Sequence, residues 1–137
     1  MLRALAWIAL IFFSSTSLAA RWCEQAFRLL FGPSSSTPQT RYQILHFLAE
    51  KSLHVMLFAV LGWLLWKALP PARGKLFAVL LAGLLVGAAS EFLQSFFPGR
   101  DPAVRDVLLN FTSMAVVTCV MSIKLWRSSA VNIDPEP

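Results

Sequence analysis

Charged residues are scarce in this chain of 137 residues: Asp, Glu, Lys and Arg make up 14%, against about 25% in an average soluble domain. The two cysteines, Cys23 and Cys119, lie far apart in unlike surroundings, which argues against a cysteine metal framework or redox pair. The sequence also lacks a glycine-rich phosphate loop and a His-Glu-x-x-His motif. Its basic residues are not clustered on one face, so nucleic acid is not expected as a partner.

Apolar residues, in contrast, make up 57% of the chain and are concentrated in four long runs. A bilayer core of about 30 Å requires about 20 helical residues, and lengths of about 17 to 25 are tolerated. Each run reaches the lower bound of this range. The sequence predicts one all-α domain over residues 1–137, an integral membrane four-helix bundle with spans at about 4–20, 52–69, 76–97 and 107–126.

The first run has a second interpretation, because "MLR" and "SLAA" resemble the start and the cleavage site of a signal peptide. Three further spans and an amphipathic segment follow it, rather than a polar mature start. These features favour a retained span.

The loop after the first span is predicted to contain a short interfacial helix. In "RWCEQAFRLLF", Trp22 and Leu29 share one face, and Glu24 and Arg28 lie elsewhere, as in amphipathic helices at a membrane surface. The segment "GPSSSTPQ" then breaks the helix. A new helix is predicted to begin with Thr37 as N-cap and Pro38 as its first residue, and to continue into the second span.

The distribution of basic residues sets the predicted orientation. Lys and Arg are equally divided between the two sides, but the loop containing Lys67, Arg73 and Lys75 is short and free of acids. Such loops are typical of the cytoplasmic side. Both termini are therefore expected in the cytoplasm, and the opposite end of the bundle outside it.

Seven polar residues are expected at that opposite end, in one shallow layer. Lys51 with His54, and Glu91 with Gln94, are three residues apart, so each pair shares a helical face. Ionisable groups in such places are functional candidates, although ion-pair networks that merely fix helix register look similar. No charge lies near the midplane of a span, which disfavours a channel. The predicted pocket is formed by Lys51, His54, Glu91, Gln94, Arg100, Asp106 and Asn110.

Small residues in the third span indicate close helix packing. Gly83 and Gly87 are four residues apart, a spacing that lets helices approach each other. Packing within the bundle is favoured over a dimer interface, and the oligomeric state is left open.

The stretches "EKSLHVMLF" and "EFLQSFFPGRDPAVRDVLLN" resemble the polar motifs of VanZ-like membrane proteins, and "IFFSSTS" is similar to that family's first span. The resemblance implies a multi-pass protein of the bacterial inner membrane, with importance for the seven polar residues named above. It also implies a link to lowered susceptibility to glycopeptide antibiotics such as teicoplanin.

Two classes of function fit the predicted pocket. In the first, Lys51 and Arg100 bind the anionic headgroup of a membrane lipid or lipid-linked envelope precursor, with Gln94 and Asn110 as hydrogen-bond partners and Arg105 as a further cation. The alternative is a membrane enzyme acting on a polyprenyl phosphate or phospholipid. Its acid and base candidates are His54, Glu91 and Asp106.

A metal site is the weaker interpretation of the same region. His46, Glu50 and His54 recur every four residues on one helical face. Lys51 beside them disfavours a divalent cation, so neither a metal nor another cofactor is expected.

Overall fold

The structure, a computed structural model, describes residues 1–31, 39–97 and 103–131, which form helices joined by short turns with no strand among them. Three of the helices are long and apolar enough to cross a membrane, and a bent helix pair at the start makes four if it is counted as one span. The all-α prediction is therefore confirmed. The elements are α1 (Leu2–Ser14), α2 (Ser17–Phe31), α3 (Gln39–Ala68), α4 (Lys75–Gln94) and α5 (Val104–Val131).

The first predicted span, 4–20, is not one straight helix. α1 ends at Ser14, and α2 leaves it at an angle of 77°. The hydroxyls of Ser14 and Ser15 both donate to the carbonyl of Ile11, and that of Thr16 donates to the carbonyl of Phe13. Serine and threonine that bond back to the preceding turn bend or end helices, which explains the break.

α2 is the predicted amphipathic helix, and it begins earlier than expected, at Ser17. It rests on α3 through the ring of Phe27, which contacts the rings of Tyr42 and His46 edge-on. On α2 itself, Arg28 and Glu24 form an exposed ion pair of 2.5 Å. The hydrogen bond that Arg28 donates to Glu24 raises the pKa of Arg28 above its ordinary value.

α3 is one continuous helix of 30 residues, so the prediction that a new helix follows the break and continues into the second span is confirmed. Its predicted cap, Thr37 with Pro38, lies outside the described residues. α4 ends at Gln94 and not at residue 97 as predicted. The amides of Ser95, Phe96 and Phe97 bond to carbonyls three residues back, which tightens the chain into a turn. α5 is longer than the predicted span 107–126 at both ends.

Met114 of α5 lies at the centre of the bundle. It is fully buried, and it occupies the space that glycines leave on the two neighbouring helices. A Cβ added to Gly83 of α4 would lie 1.9 Å from its Cε, and one added to Gly62 of α3 would lie 2.6 Å from its Cγ. A Cβ at Gly87 would meet Phe58 at an ordinary 3.6 Å. Close packing of α4 against α5 therefore depends on Gly83, within the bundle.

α1 belongs to the same packed core. Ala4 and Ile11 are buried in the central hydrophobic cluster. The indole nitrogen of Trp7 donates a 2.8 Å hydrogen bond to the carbonyl of Leu57 on α3. This bond sets Trp7 level with Leu57 and brings the end of α1 beside the N-terminal half of α3.

Candidate functional site

An ion pair joins α3 and α5 at the end of the bundle where α4 also ends. The ammonium of Lys51 lies 2.6 Å from a carboxylate oxygen of Asp106, and the two side chains are 20% and 13% exposed. Lys51 also lies over the ring of Phe47, 5.5 Å from its centroid. Because water is largely excluded, removing either partner would leave a poorly solvated charge. The pair therefore fixes the register of α3 against α5.

A second cation lies beside the same carboxylate. The Nε atom of Arg105 is 3.9 Å from the other oxygen of Asp106, and the Arg105 side chain is 75% exposed. Two positive charges thus face one negative charge around Asp106. Lysine has three donors and arginine five, so both cations keep donors that Asp106 does not use.

Glu91 serves a different part of the site. It is only 5% exposed, and its Oε2 accepts a 3.2 Å hydrogen bond from the backbone amide of Ala103, just before α5. The first amides of a helix lack partners within the helix and carry partial positive charge. Glu91 therefore links the end of α4 to the start of α5. The carboxylate that pairs with Lys51 is that of Asp106.

A deeper polar layer lies about one helical turn below the ion pair. α3 and α5 both run inward from this end, so His54 and Asn110, three and four residues beyond Lys51 and Asp106, are about 4.5–6 Å deeper. His54 is 8% exposed and Asn110 is fully buried. Among the residues that the structure describes, neither polar atom of the Asn110 amide has a hydrogen-bond partner. An unsatisfied buried amide costs about 1–3 kcal/mol, so Asn110 is suited to a polar group that enters the site.

A cavity of about 580 Å³ opens next to this layer, between α2 and α3 and below the break at the end of α1. Its walls are mostly apolar, and His54 forms part of both the cavity and the polar layer. We call it the α2–α3 groove. α2 contributes Cys23, Phe27 and Leu30 to its walls, and α3 contributes Ala49, Leu53 and His54.

The structure thus gathers most of the predicted site residues at one end of the bundle. Lys51 and Asp106 are in contact, and Glu91, His54, Gln94 and Asn110 are buried nearby on three helices. Arg100, predicted to bind an anion, lies outside the described residues together with the rest of "PGRDP". The ligand-binding and acid–base roles assigned to these residues stay predictions.

Two further residues that could take part in catalysis or metal binding, Ser90 and His46, make structural contacts instead. The hydroxyl of Ser90, the residue nearest to Glu91 that could act as a nucleophile, is buried and donates to the carbonyl of Gly87. His46 stacks on Tyr42 at the α2–α3 contact. No three His, Cys, Asp or Glu side chains within residues 1–31, 39–97 and 103–131 are grouped so that they could hold a metal ion.

Comparison with known proteins adds a family to this geometry. A model of the VanZ/LLP1 family matches residues 1–126, which include every element of the site. The chain belongs to the VanZ/LLP1 family. The resemblance to VanZ-like proteins is thereby confirmed, and the apolar helices fit a VanZ/LLP1 membrane protein. Neither the curated proteins nor the solved structures include a significant match to the chain.

Sequence reasoning missed the α2–α3 groove. Its signal was present in Phe27, an aromatic residue on the amphipathic helix, and in Tyr42 and His46 four residues apart on α3. α2 lies beside α3 because the chain bends by 77° after α1. The length of the first apolar run does not indicate this bend.

Proposed function

We propose that this VanZ/LLP1 membrane protein binds the phosphate-bearing headgroup of an anionic lipid at the end of the bundle that carries Lys51, Asp106 and Asn110. The observation that carries the proposal is the arrangement of two cations around one carboxylate, Lys51 at 2.6 Å and Arg105 at 3.9 Å from Asp106. Their unused donors suit phosphate oxygens, and arginine matches phosphate in bidentate fashion. Arg100, by sequence, is a third cation in this region.

The buried amide of Asn110 supports the same proposal. A headgroup that reaches one turn below the ion pair would supply the partner that Asn110 lacks among the described residues. The binding energy would then include relief of an unsatisfied buried group, about 1–3 kcal/mol.

The first experiment is native mass spectrometry of the protein extracted with its own lipids, comparing wild type with Lys51→Met. We expect retention of an anionic lipid to fall about 10- to 100-fold, since a hydrogen bond to a charged group contributes about 1.5–3 kcal/mol. Lys67→Met is the matched control, because Lys67 is an exposed lysine at the opposite end of α3. Equal lipid profiles in wild type and in folded Lys51→Met would contradict the proposal.

Asn110→Leu separates a binding site from a structural network. Without lipid, the variant is expected to gain about 1–3 kcal/mol of stability, because an unsatisfied buried amide is replaced by an apolar group of similar size. It should also retain less lipid. Thr118→Val is the control: Thr118 is equally buried but its hydroxyl donates to the carbonyl of Met114, so its loss should not stabilise the protein. A destabilised Asn110→Leu with unchanged lipid would favour a purely structural role.

We further propose a multi-pass inner-membrane topology with cytoplasmic termini and an extracytoplasmic site, as the basic loop between α3 and α4 predicts. Cys23 is exposed on α2 and lines the groove next to the site. In a Cys119→Ser background, a membrane-impermeant maleimide added outside intact spheroplasts should label Cys23. Labelling that requires lysis would reverse the orientation.

If the bound lipid is an envelope precursor, the link to glycopeptide tolerance can be tested with the same variant. Cells that express wild type are expected to tolerate more teicoplanin than cells that express Lys51→Met at equal protein levels. Equal susceptibility would separate lipid binding from antibiotic tolerance.

A further inference from the structure

The α2–α3 groove has no assigned occupant, and it differs in character from the polar cluster beside it. Most of the wall area is apolar, and alanine, leucine and phenylalanine side chains contribute to it together with the side chain of Cys23. Its volume of about 580 Å³ is within the range of about 300–1,000 Å³ typical of small-molecule sites. Charged side chains, Arg21, Glu24 and Glu50, also line the groove.

The position of the groove indicates the source of an occupant. His54 lines the groove and is buried one turn below the Lys51–Asp106 pair, so the groove lies next to the headgroup site. Its outer wall is an amphipathic helix that exposes Trp22, Leu29 and Leu30, residues of the kind that enter a membrane interface. A molecule in the groove would therefore have its polar end at the ion pair and its apolar body beside the bilayer surface.

We propose that the α2–α3 groove holds one fatty-acyl chain of the phospholipid whose phosphate is bound at Lys51 and Asp106. This inference rests on the proposed function for the position of the headgroup, and it adds a separate site for the chain. The apolar walls replace bilayer hydrocarbon around the chain, so the chain is held by van der Waals contacts in the groove and by the attachment of its headgroup to the ion pair. His54 lies where chain and headgroup join.

The test uses a phosphatidylglycerol that carries a photoactivatable diazirine on one acyl chain, incorporated with purified full-length protein into nanodiscs. After illumination, labelled peptides are identified by mass spectrometry. We expect labelling concentrated on the segments that line the groove, 20–30 and 46–54, over the lipid-facing surfaces of α4 and α5. Uniform labelling of exposed apolar residues around the bundle would overturn the inference.

Two matched substitutions fill space inside and outside the groove. Ala49→Trp, on the α3 wall, is expected to lower groove labelling at least about fivefold, since a large ring occupies the volume of the chain. Ala88→Trp adds the same ring to an exposed position on α4 outside the groove and should leave labelling unchanged. Ala26→Trp, from the α2 wall, repeats the test if Ala49→Trp does not fold. Unchanged labelling in both folded groove variants would overturn the inference.

A headgroup comparison separates this inference from the proposed function. A diacylglycerol with the same diazirine chain lacks the phosphate, so we expect its groove labelling to be weaker than that of the phosphatidylglycerol. Equal labelling by both probes would leave the chain site standing and contradict the headgroup site. Lipid retention that depends on Lys51, with no labelling of the groove, would support the headgroup site and contradict the chain site. Displacement of the probe by a polyprenyl phosphate but not by unlabelled phosphatidylglycerol would overturn the assignment of an acyl chain.

Discussion

Met114 packs against two glycines, Gly83 and Gly62. A methyl group added to Gly83 would lie closer to Met114 than one added to Gly62, yet we expect it to destabilise the protein less. A methyl group at Gly83 would lie 1.9 Å from the Cε and 2.1 Å from the Sδ of Met114, the flexible end of that side chain. A methyl group at Gly62 would lie 2.6 Å from its Cγ and 3.1 Å from its backbone oxygen, which cannot move without α5.

Overpacking of a core costs about 1–3 kcal/mol, and less where a side chain can change its rotamer. We therefore expect Gly83→Ala to destabilise the protein by about 1 kcal/mol and Gly62→Ala by about 3 kcal/mol. Gly87→Ala is the control. Its new methyl group would meet Phe58 at 3.6 Å, so a near-neutral effect is expected.

The assay is unfolding of the purified protein by SDS in mixed micelles, followed by far-ultraviolet circular dichroism and by tryptophan fluorescence. A double-mutant cycle with Met114→Ala adds a second readout, because that substitution removes Cγ, Sδ and Cε. It should abolish the cost of Gly83→Ala. It should relieve Gly62→Ala only in part, since the backbone oxygen of Met114 and the hydroxyl of Thr118 remain 3.1 Å from the new methyl group.

Two results would refute this reasoning. The first is a larger cost for Gly83→Ala than for Gly62→Ala, which would mean that the thioether of Met114 has no alternative position. The second is additivity of Gly83→Ala with Met114→Ala, which would mean that the two side chains do not compete for the same space.

Two further predictions concern the polar contacts that join the helices. The substitutions Lys51→Met and Asp106→Asn should couple by about 1–3 kcal/mol in an unfolding cycle, whereas Glu24→Gln with Arg28→Gln should couple by less than about 0.5 kcal/mol because that pair is exposed; equal coupling energies would contradict the burial argument. Trp7→Phe removes the bond to the Leu57 carbonyl, so we expect a loss of about 1 kcal/mol and faster amide hydrogen exchange in α1, and unchanged exchange would show that α1 is held by packing alone.

The helical content followed from the sequence because runs of apolar residues about 20 residues long permit few other structures in a bilayer. The same logic failed at the first run. Apolar length alone does not reveal a break, and the hydroxyls of Ser14, Ser15 and Thr16 provide one by bonding to the preceding turn. At the end of α4 the prediction was three residues too long, because Phe96 and Phe97 are apolar although the chain has already turned.

The sequence predicted which residues lie at the site, but not which of them pair with each other. Helical spacing and span topology placed Lys51, His54, Glu91 and Asp106 at one end, but charge alone did not decide which cation meets which carboxylate. The answer depends on packing: among the described helices α3 and α5 share the most extensive contact, and there Lys51 meets Asp106, whereas Glu91 reaches the amide of Ala103. The groove depends on the position of α2 beside α3, which is set by the break after α1 and not by the helical spacing of aromatic residues alone.

The depth of the polar layer has a consequence for the surrounding bilayer. Glu91 and Asn110 are buried inside the bundle, whereas Phe92 of α4 and Leu108 of α5 are exposed at the same end. The 20 residues of α4 span about 30 Å, which matches the thickness of a typical hydrocarbon core. The outer surface of these helices therefore stays apolar at the level where the interior is polar. Lipids that surround the protein meet no polar side chain of Glu91 or Asn110, and only a molecule that enters between the helices can reach them.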